Sequence, residues 1–196
     1  MQKVNPLRLL VSAFEPFGDR RRNTSADLLR KVRLSSLFPL DQVRCHKILL
    51  PVNFDTAWPR LLCRLEAWKP DLVILTGEGK SNPVTLETAA RNQRRGELEN
   101  AAIDPALPFV RHSAAAEQLS AALRSIQGIS IENDPGDYLC NYTYFQCLSH
   151  QPEKPVLFLH VHPLPEDDEE AELVRIKNLY ERAIQTAIEL QSRTAS

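Results

Sequence analysis

The chain has 196 residues, 43% of them hydrophobic, which suits one domain over residues 1–196 with a sizeable core. Its 24 basic and 25 acidic residues are scattered and leave a formal charge of -1, so the sequence carries no electrostatic footprint for nucleic acid or an anionic membrane. No apolar run approaches the roughly 20 residues that span a bilayer, and the polar start at 1–6 lacks the pattern of a secretion signal, so a cytoplasmic address is expected.

From the N-terminus, the apolar stretch at 8–14 predicts a strand, 25–34 a helix, 43–52 a strand, 55–68 a helix and 71–76 a strand, with Gly, Pro or Asn closing the strands. Residues 77–112 show no clear period apart from a β-favouring piece at 84–87, and a loop of that length in a compact domain is usually functional or disordered. A helix follows at 114–126, with Ala115, Leu119, Ala122, Leu123 and Ile126 as its apolar stripe and Gly128 where a left-handed cap belongs. A strand at 129–132, a helix at 141–150 and a strand at 156–161 lead to a last helix at 168–190. Its stripe is Leu173, Ile176, Tyr180, Ala183, Ile184, Ala187 and Ile188, behind an acidic first turn at 166–170. Alternating helices and near-continuous apolar strands predict an α/β fold, a three-layer α/β/α sandwich whose site lies beyond the C-terminal ends of the strands.

Four cysteines, at 45, 63, 140 and 147, stand without a CxxC pair, which argues against a zinc knuckle and a dense disulfide framework; free thiols are expected. Cys45 in a strand and Cys63 in a helix read as core, as does Cys147, seven residues after Cys140. Cys140 follows a strand and the turn 133–137 and comes before a helix. The helix N-terminus there favours thiolate over thiol and offers N–H groups to a developing oxyanion. Position alone nevertheless favours a buried thiol. His160 ends an apolar strand, where α/β sites form, but a histidine in such a strand is more often a hydrogen-bonded core residue. His162 would point to the same face, and spacing does not choose between them. Glu87, in the 84–87 piece, would complete a set of nucleophile, base and orienting carboxylate.

These residues sit in motifs that resemble the pyroglutamyl peptidase I (pyrrolidone-carboxylate peptidase) family. Phe14-Glu15-Pro16-Phe17-Gly18 matches its Phe-x-Pro-Phe-Gly signature, with Asn23 and Ser25 at an Asn-Pro-Ser position. Leu50-Pro51-Val52 and Lys69-Pro70-Asp71 resemble its Leu-Pro-Val and Lys-Pro-Asp. Thr85-Leu86-Glu87 with Asn92, 136–141 around Cys140, and Phe158-Leu159-His160-Val161 with Leu164-Pro165 complete the likeness, in the family's order of Glu, Cys, His. The resemblance implies a mostly parallel, mixed central sheet of the phosphorylase/hydrolase-like type and a thiol peptidase that removes N-terminal pyroglutamyl residues. Catalysis would fall to Glu87, Cys140 and His160. It further implies a substrate site of Phe14, Phe17, Glu78, Tyr138 and Leu139, no cofactor or metal, and a homo-oligomer, dimer or tetramer, acting on N-terminally pyroglutamylated peptides.

Departures from the pattern cluster around the substrate. Gly77-Glu78-Gly79-Lys80-Ser81-Asn82 stands where bacterial members read Gly-Gln-Ala-Gly-Gly-Arg, one residue closer to Glu87. Thr88 replaces an Arg, with Arg91 three further on; Asp19 replaces a Gly, and Asp134-Pro135 a Thr-Ala pair. Two alternatives follow: an amidase or peptidase of the same fold for another capped group, or a binding homologue without catalysis.

Overall fold

The computed structural model describes residues 5–39, 42–95, 101–164 and 169–194. Its strands are β1 (Leu7–Phe14), β2 (Val43–Leu50), β3 (Leu72–Glu78), β4 (Val84–Glu87), β5 (Ala89–Arg91), β6 (Val110–His112), β7 (Ile129–Glu132) and β8 (Val156–Val161). The helices are α1 (Thr24–Lys31), the short α2 (Leu34–Leu37), α3 (Phe54–Trp68), α4 (Ala114–Leu123), α5 (Leu139–His150) and α6 (Glu169–Thr194). A six-stranded sheet runs in the order β2-β1-β3-β8-β4-β7. Its first four strands are mutually parallel; β4 runs antiparallel to β8 and parallel to β7, so the sheet is mixed, as expected.

Period 2 along the strands divides the core into two layers. Leu9, Val11, Leu72, Ile74, Val84, Leu86, Leu157 and Leu159 pack against α1, α4 and α6 on one face. Leu10, Phe14, Val73, Leu75, Val156 and Phe158 pack against α3 and α5 on the other. Burying these faces is the main favourable contribution to folding, each large side chain adding about 1.5–3 kcal/mol. The α6 stripe is buried throughout, and the Tyr180 hydroxyl meets Thr76 Oγ1 at 2.6 Å. Its expected acidic first turn falls largely on residues outside those described.

Local chemistry fixes where the helices start. Asn23, Asn53 and Ser113 accept backbone N–H bonds from Ser25, Asp55 and Ala116 and so cap α1, α3 and α4. The Lys69-Pro70-Asp71 motif ties β3 to β1, because Asp71 Oδ2 accepts from the Arg8 backbone at 2.9 Å while Asp71 also pairs with the Arg8 guanidinium.

Several expectations need correction. The second strand ends at Leu50, where Pro51 has no N–H for the ladder, and the first helix ends at Lys31, with Val32 already extended. In α4 it is Ala116, not Ala122, that joins Leu119 and Leu123 in the core; Ala122 is exposed. Cys63 lies on the outer side of α3 and is exposed, Cys45 is partly covered, and Cys147 is fully buried; all four cysteines are free. The long segment 77–112 is not a plain loop: β4 joins the main sheet, and β5 and β6 pair as a separate two-stranded sheet. None of the described helices is long and apolar enough to cross a membrane.

Candidate active site

The two-residue strand period determines which side chains can meet. Residues 73 and 75 on β3, 156 and 158 on β8, and Tyr144 on α5 share one layer. Continuing that parity places Gly77, His160 and Glu87 on the α5 side of the sheet, where Cys140 stands in the first turn of α5. His160 and Gly77 are directly opposed in the β3–β8 pairing, and His160 opposes Thr85 across β4. Three strands and one helix N-terminus thus converge at one point.

Glu87 and His160 form the centre of the cluster. The Nδ1 of His160 lies 2.8 Å from Glu87 Oε1, and both side chains are almost wholly removed from solvent. The second carboxylate oxygen, Oε2, accepts from the Asp134 backbone N–H at 3.1 Å, and the Tyr144 hydroxyl donates to the Glu87 carbonyl at 2.9 Å. The Glu87 orientation is therefore over-determined, and with it the tautomer of His160, whose Nδ1–H is directed at the carboxylate. Phe158 packs against the imidazole with ring centroids 4.8 Å apart.

Cys140 completes the arrangement. A Cβ placed on Gly77 would lie 2.5 Å from Cys140 Sγ, and one on Gly79 would lie 3.3 Å from His160 Cδ2. Two glycines therefore floor the site and let sulfur and imidazole approach the backbone. Burial disfavours the charged imidazole, but the Cys140 sulfur, by charge and hydrogen bonding, and then the Glu87 carboxylate outweigh it and push His160 up to about 9. A protonated imidazole beside the sulfur is the form this surrounding favours. Cys147, one helical stretch on, is held well above the ordinary thiol range by burial and sits in the core.

Unlike α1, α3 and α4, the helix that carries Cys140 has no side-chain cap, its N-cap Tyr138 being extended. The N–H groups of its first turn are left for an acceptor other than a capping side chain. Next to Cys140, Asn141 is fully buried. Its Oδ1 accepts from Arg91 N at 2.7 Å, and its Nδ2 donates to the carbonyls of Arg91 and Gln93 at 2.8 and 2.6 Å, which fastens β5 to the helix that carries Cys140.

The residues expected at the substrate are placed unevenly. Phe17 and Tyr138 expose 41% and 42% of their surface, whereas Phe14 and Leu139 belong to the packed core. Tyr138 meets Phe54 edge-on, with centroids 5.4 Å apart. Glu78 is not brought to Cys140. It has the opposite parity on β3, and its carboxylate accepts from the backbone N–H of Thr24, at the start of α1, and pairs with Arg20. The Arg20 guanidinium in turn lies over the Phe17 ring, 5.8 Å from its centroid. Thr88 also turns to structure, its hydroxyl donating to the Glu132 carbonyl at 3.0 Å. His162, the rival of His160, has its Nδ1 3.1 Å from the Lys80 carbonyl.

Sequence reasoning gave Lys80 and Asn141 no role of their own. Lys80 Nζ sits 2.8 Å from Glu132 Oε2 and 3.7 Å from Glu87 Oε1. Counting parity from Gly77 would have shown that Glu78 points away; Asn141 stands in the motif around Cys140, but nothing local reveals its partners, which are about 50 residues distant in the chain. Among the described residues no group of His, Cys, Asp and Glu is arranged to hold a metal ion.

Comparison with known proteins gives a consistent result. The family model described as pyroglutamyl peptidase matches residues 7–189. Pyroglutamyl-peptidase 1 of Homo sapiens is 27% identical over 168 residues, covering 80% of this chain and 79% of its own. A pyrrolidone-carboxylate peptidase of Chromobacterium violaceum is 27% identical over 169 residues, covering 81% and 79%. A mutant pyrrolidone carboxyl peptidase from Pyrococcus furiosus matches with a TM-score of 0.77 at 24% identity, over 96% of this chain and 99% of its own, and so has the same fold.

Proposed function

The chain belongs to the pyroglutamyl peptidase family of cysteine-type omega peptidases, and on that premise we propose that it removes N-terminal pyroglutamyl residues from peptides, with Cys140 as nucleophile, His160 as general acid and base, and Glu87 orienting His160. The observation that carries this reading is the buried 2.8 Å contact between His160 Nδ1 and Glu87 beside the Cys140 sulfur.

The thiolate of Cys140 attacks the carbonyl that joins the pyroglutamyl group to the next residue. Charge passes to the carbonyl oxygen, which the uncapped N–H groups at the start of α5 stabilise. The imidazolium of His160 gives its proton to the departing amine as the carbon–nitrogen bond breaks, leaving a thioester on Cys140. Neutral His160 then takes a proton from water, whose oxygen attacks the thioester; pyroglutamic acid leaves and the thiolate–imidazolium pair returns. Throughout, Glu87 holds Nδ1–H, so that Nε2 is the nitrogen that exchanges protons. The lactam carries no charge, and the exposed rings of Phe17 and Tyr138 supply apolar surface for it.

Four free cysteines, one of them the catalytic thiol, suit a reducing compartment, in support of a cytoplasmic address. The whole chain acts as one catalytic domain, assembled as a homo-oligomer. The test is release of a chromogenic amine from a pyroglutamyl amide by the reduced protein, with Cys140→Ser reduced at least ~10³-fold. If the wild type releases nothing while Cys140 still shows His160-dependent alkylation, the substrate assignment fails and only the reactive thiol stands.

A further inference from the structure

We infer that Lys80 is a positioning residue for the reaction: its ammonium compensates the buried Glu87 carboxylate and thereby sets the pH range over which His160 holds its proton. The inference rests on the roles proposed above for Glu87 and His160.

The geometry is specific. Lys80 follows β3 and has a left-handed backbone, with φ of 72°, which turns the chain back toward the site. Its Nζ donates to Glu132 Oε2 at 2.8 Å and to the Asp134 carbonyl at 2.6 Å, and these two bonds leave it 3.7 Å from Glu87 Oε1, the oxygen that also faces His160. The Lys80 carbonyl is met by His162, so the residue is held at both ends. Burial disfavours its charge, but Glu132, Glu87 and Asp134 together raise it above the usual lysine range, so it remains a cation throughout the working pH range.

The charges around His160 then balance in a particular way. Cys140 approaches from α5 and Glu87 from β4. Behind Glu87 stand Lys80, Glu132 on β7, and Asp134, whose own carboxylate pairs with Arg91 at 3.1 Å. With Glu132 answered by Lys80 and Asp134 by Arg91, the Lys80 charge is shared between Glu132 and Glu87. Removing it leaves a more negative surround, which favours imidazolium over imidazole. An imidazolium that holds its proton more tightly is a weaker acid toward the leaving amine.

Lys80→Gln removes the charge and keeps a donor for Glu132 and Asp134; Lys80→Arg keeps the charge. In Lys80→Gln the alkaline limb of kcat/KM and the His160 imidazole titration, followed by NMR without substrate, should both move up by roughly half a unit or more. Turnover should fall a few-fold, with KM little changed, and Lys80→Arg should titrate like the wild type. Should Lys80→Gln fail to fold, Lys80→Met carries the same measurement. An unmoved His160 titration in the uncharged variant, or an equal shift in Lys80→Arg, would overturn the inference. Because the NMR titration needs no substrate, a failed pyroglutamyl assay would count against the proposed activity and not against the role of Lys80.

Discussion

Gly77→Ala tests the geometry of the site more sharply than removal of a catalytic group, because it adds one methyl and changes no charge. The added Cβ would lie 2.5 Å from Cys140 Sγ and 3.0 Å from Phe158 Cζ. Ordinary non-bonded contacts lie near 3.5–4.0 Å, so the sulfur must retreat by roughly 1 Å or the strand must shift. The strand is held: Gly77 lies in register with His160 between two parallel neighbours of a six-stranded sheet. The sulfur is the softer partner, at the start of a helix whose first turn has no side-chain cap. A misplacement of about 1 Å between reacting groups costs on the order of 10²-fold in rate, or about 2.7 kcal/mol of barrier. Overpacking should cost about 1–3 kcal/mol of stability, partly offset by the lower unfolded-state entropy of alanine. The assay is kcat/KM on a pyroglutamyl amide beside the iodoacetamide rate and a thermal melt. Gly79→Ala is the matched comparison, since its Cβ would meet His160 Cδ2 at 3.3 Å, a contact relieved by a few tenths of an ångström. The expected order of activity is wild type, Gly79→Ala, Gly77→Ala. A folded Gly77→Ala within threefold of wild type would refute the placement of Cys140 against β3.

Cys140→Ser should lower the pKa of His160 from about 9, because the sulfur is the largest influence raising it; an NMR titration that stays at the wild-type value would show that the two groups are not in contact. Asn141→Ala leaves the backbone of Arg91 and the carbonyl of Gln93 without their buried partner. It should cost about 2–4 kcal/mol in urea denaturation, and a loss below about 0.5 kcal/mol would mean that β5 is held to α5 by other contacts.

The parts of the fold that were legible in the sequence are those where one face or stripe is apolar over several residues. The strands at 129–132 and 156–161 and the stripe of α6 stand where the pattern puts them. The pairing of β5 with β6 was not legible, because three-residue strands carry too little periodicity and the partners are some 20 residues apart in the chain. Ala122 and Cys63 were misplaced for a related reason: small side chains add little to a helical stripe, so the pattern does not say on which side of its edge they fall. The site divides in the same way. Cys140, His160 and Glu87 were marked by their positions at the ends of elements and by motif, while Lys80 and Asn141 act through partners that only the folded chain brings near.

Glu78 shows how one physical rule changes the reading of a substitution. Its place in the motif suggested a carboxylate facing the substrate, which would have set a charge against a neutral lactam. The strand period forbids that orientation, since Gly77 already faces Cys140 and the next residue must face α1. There the carboxylate is nearly inaccessible, in a setting that suits its charge: the N–H of Thr24 at the positive end of α1, and the Arg20 guanidinium. Arg20 lies over Phe17, so Glu78 acts on the 15–22 loop that carries Phe17, one of the two exposed rings proposed as apolar surface for the lactam. If Phe17 lines the substrate site as proposed, a change at residue 78 reaches the substrate through the position of Phe17 and not through a charge at Cys140. A neutral substrate is compatible with this glutamate because the glutamate is already engaged on the other face of the sheet.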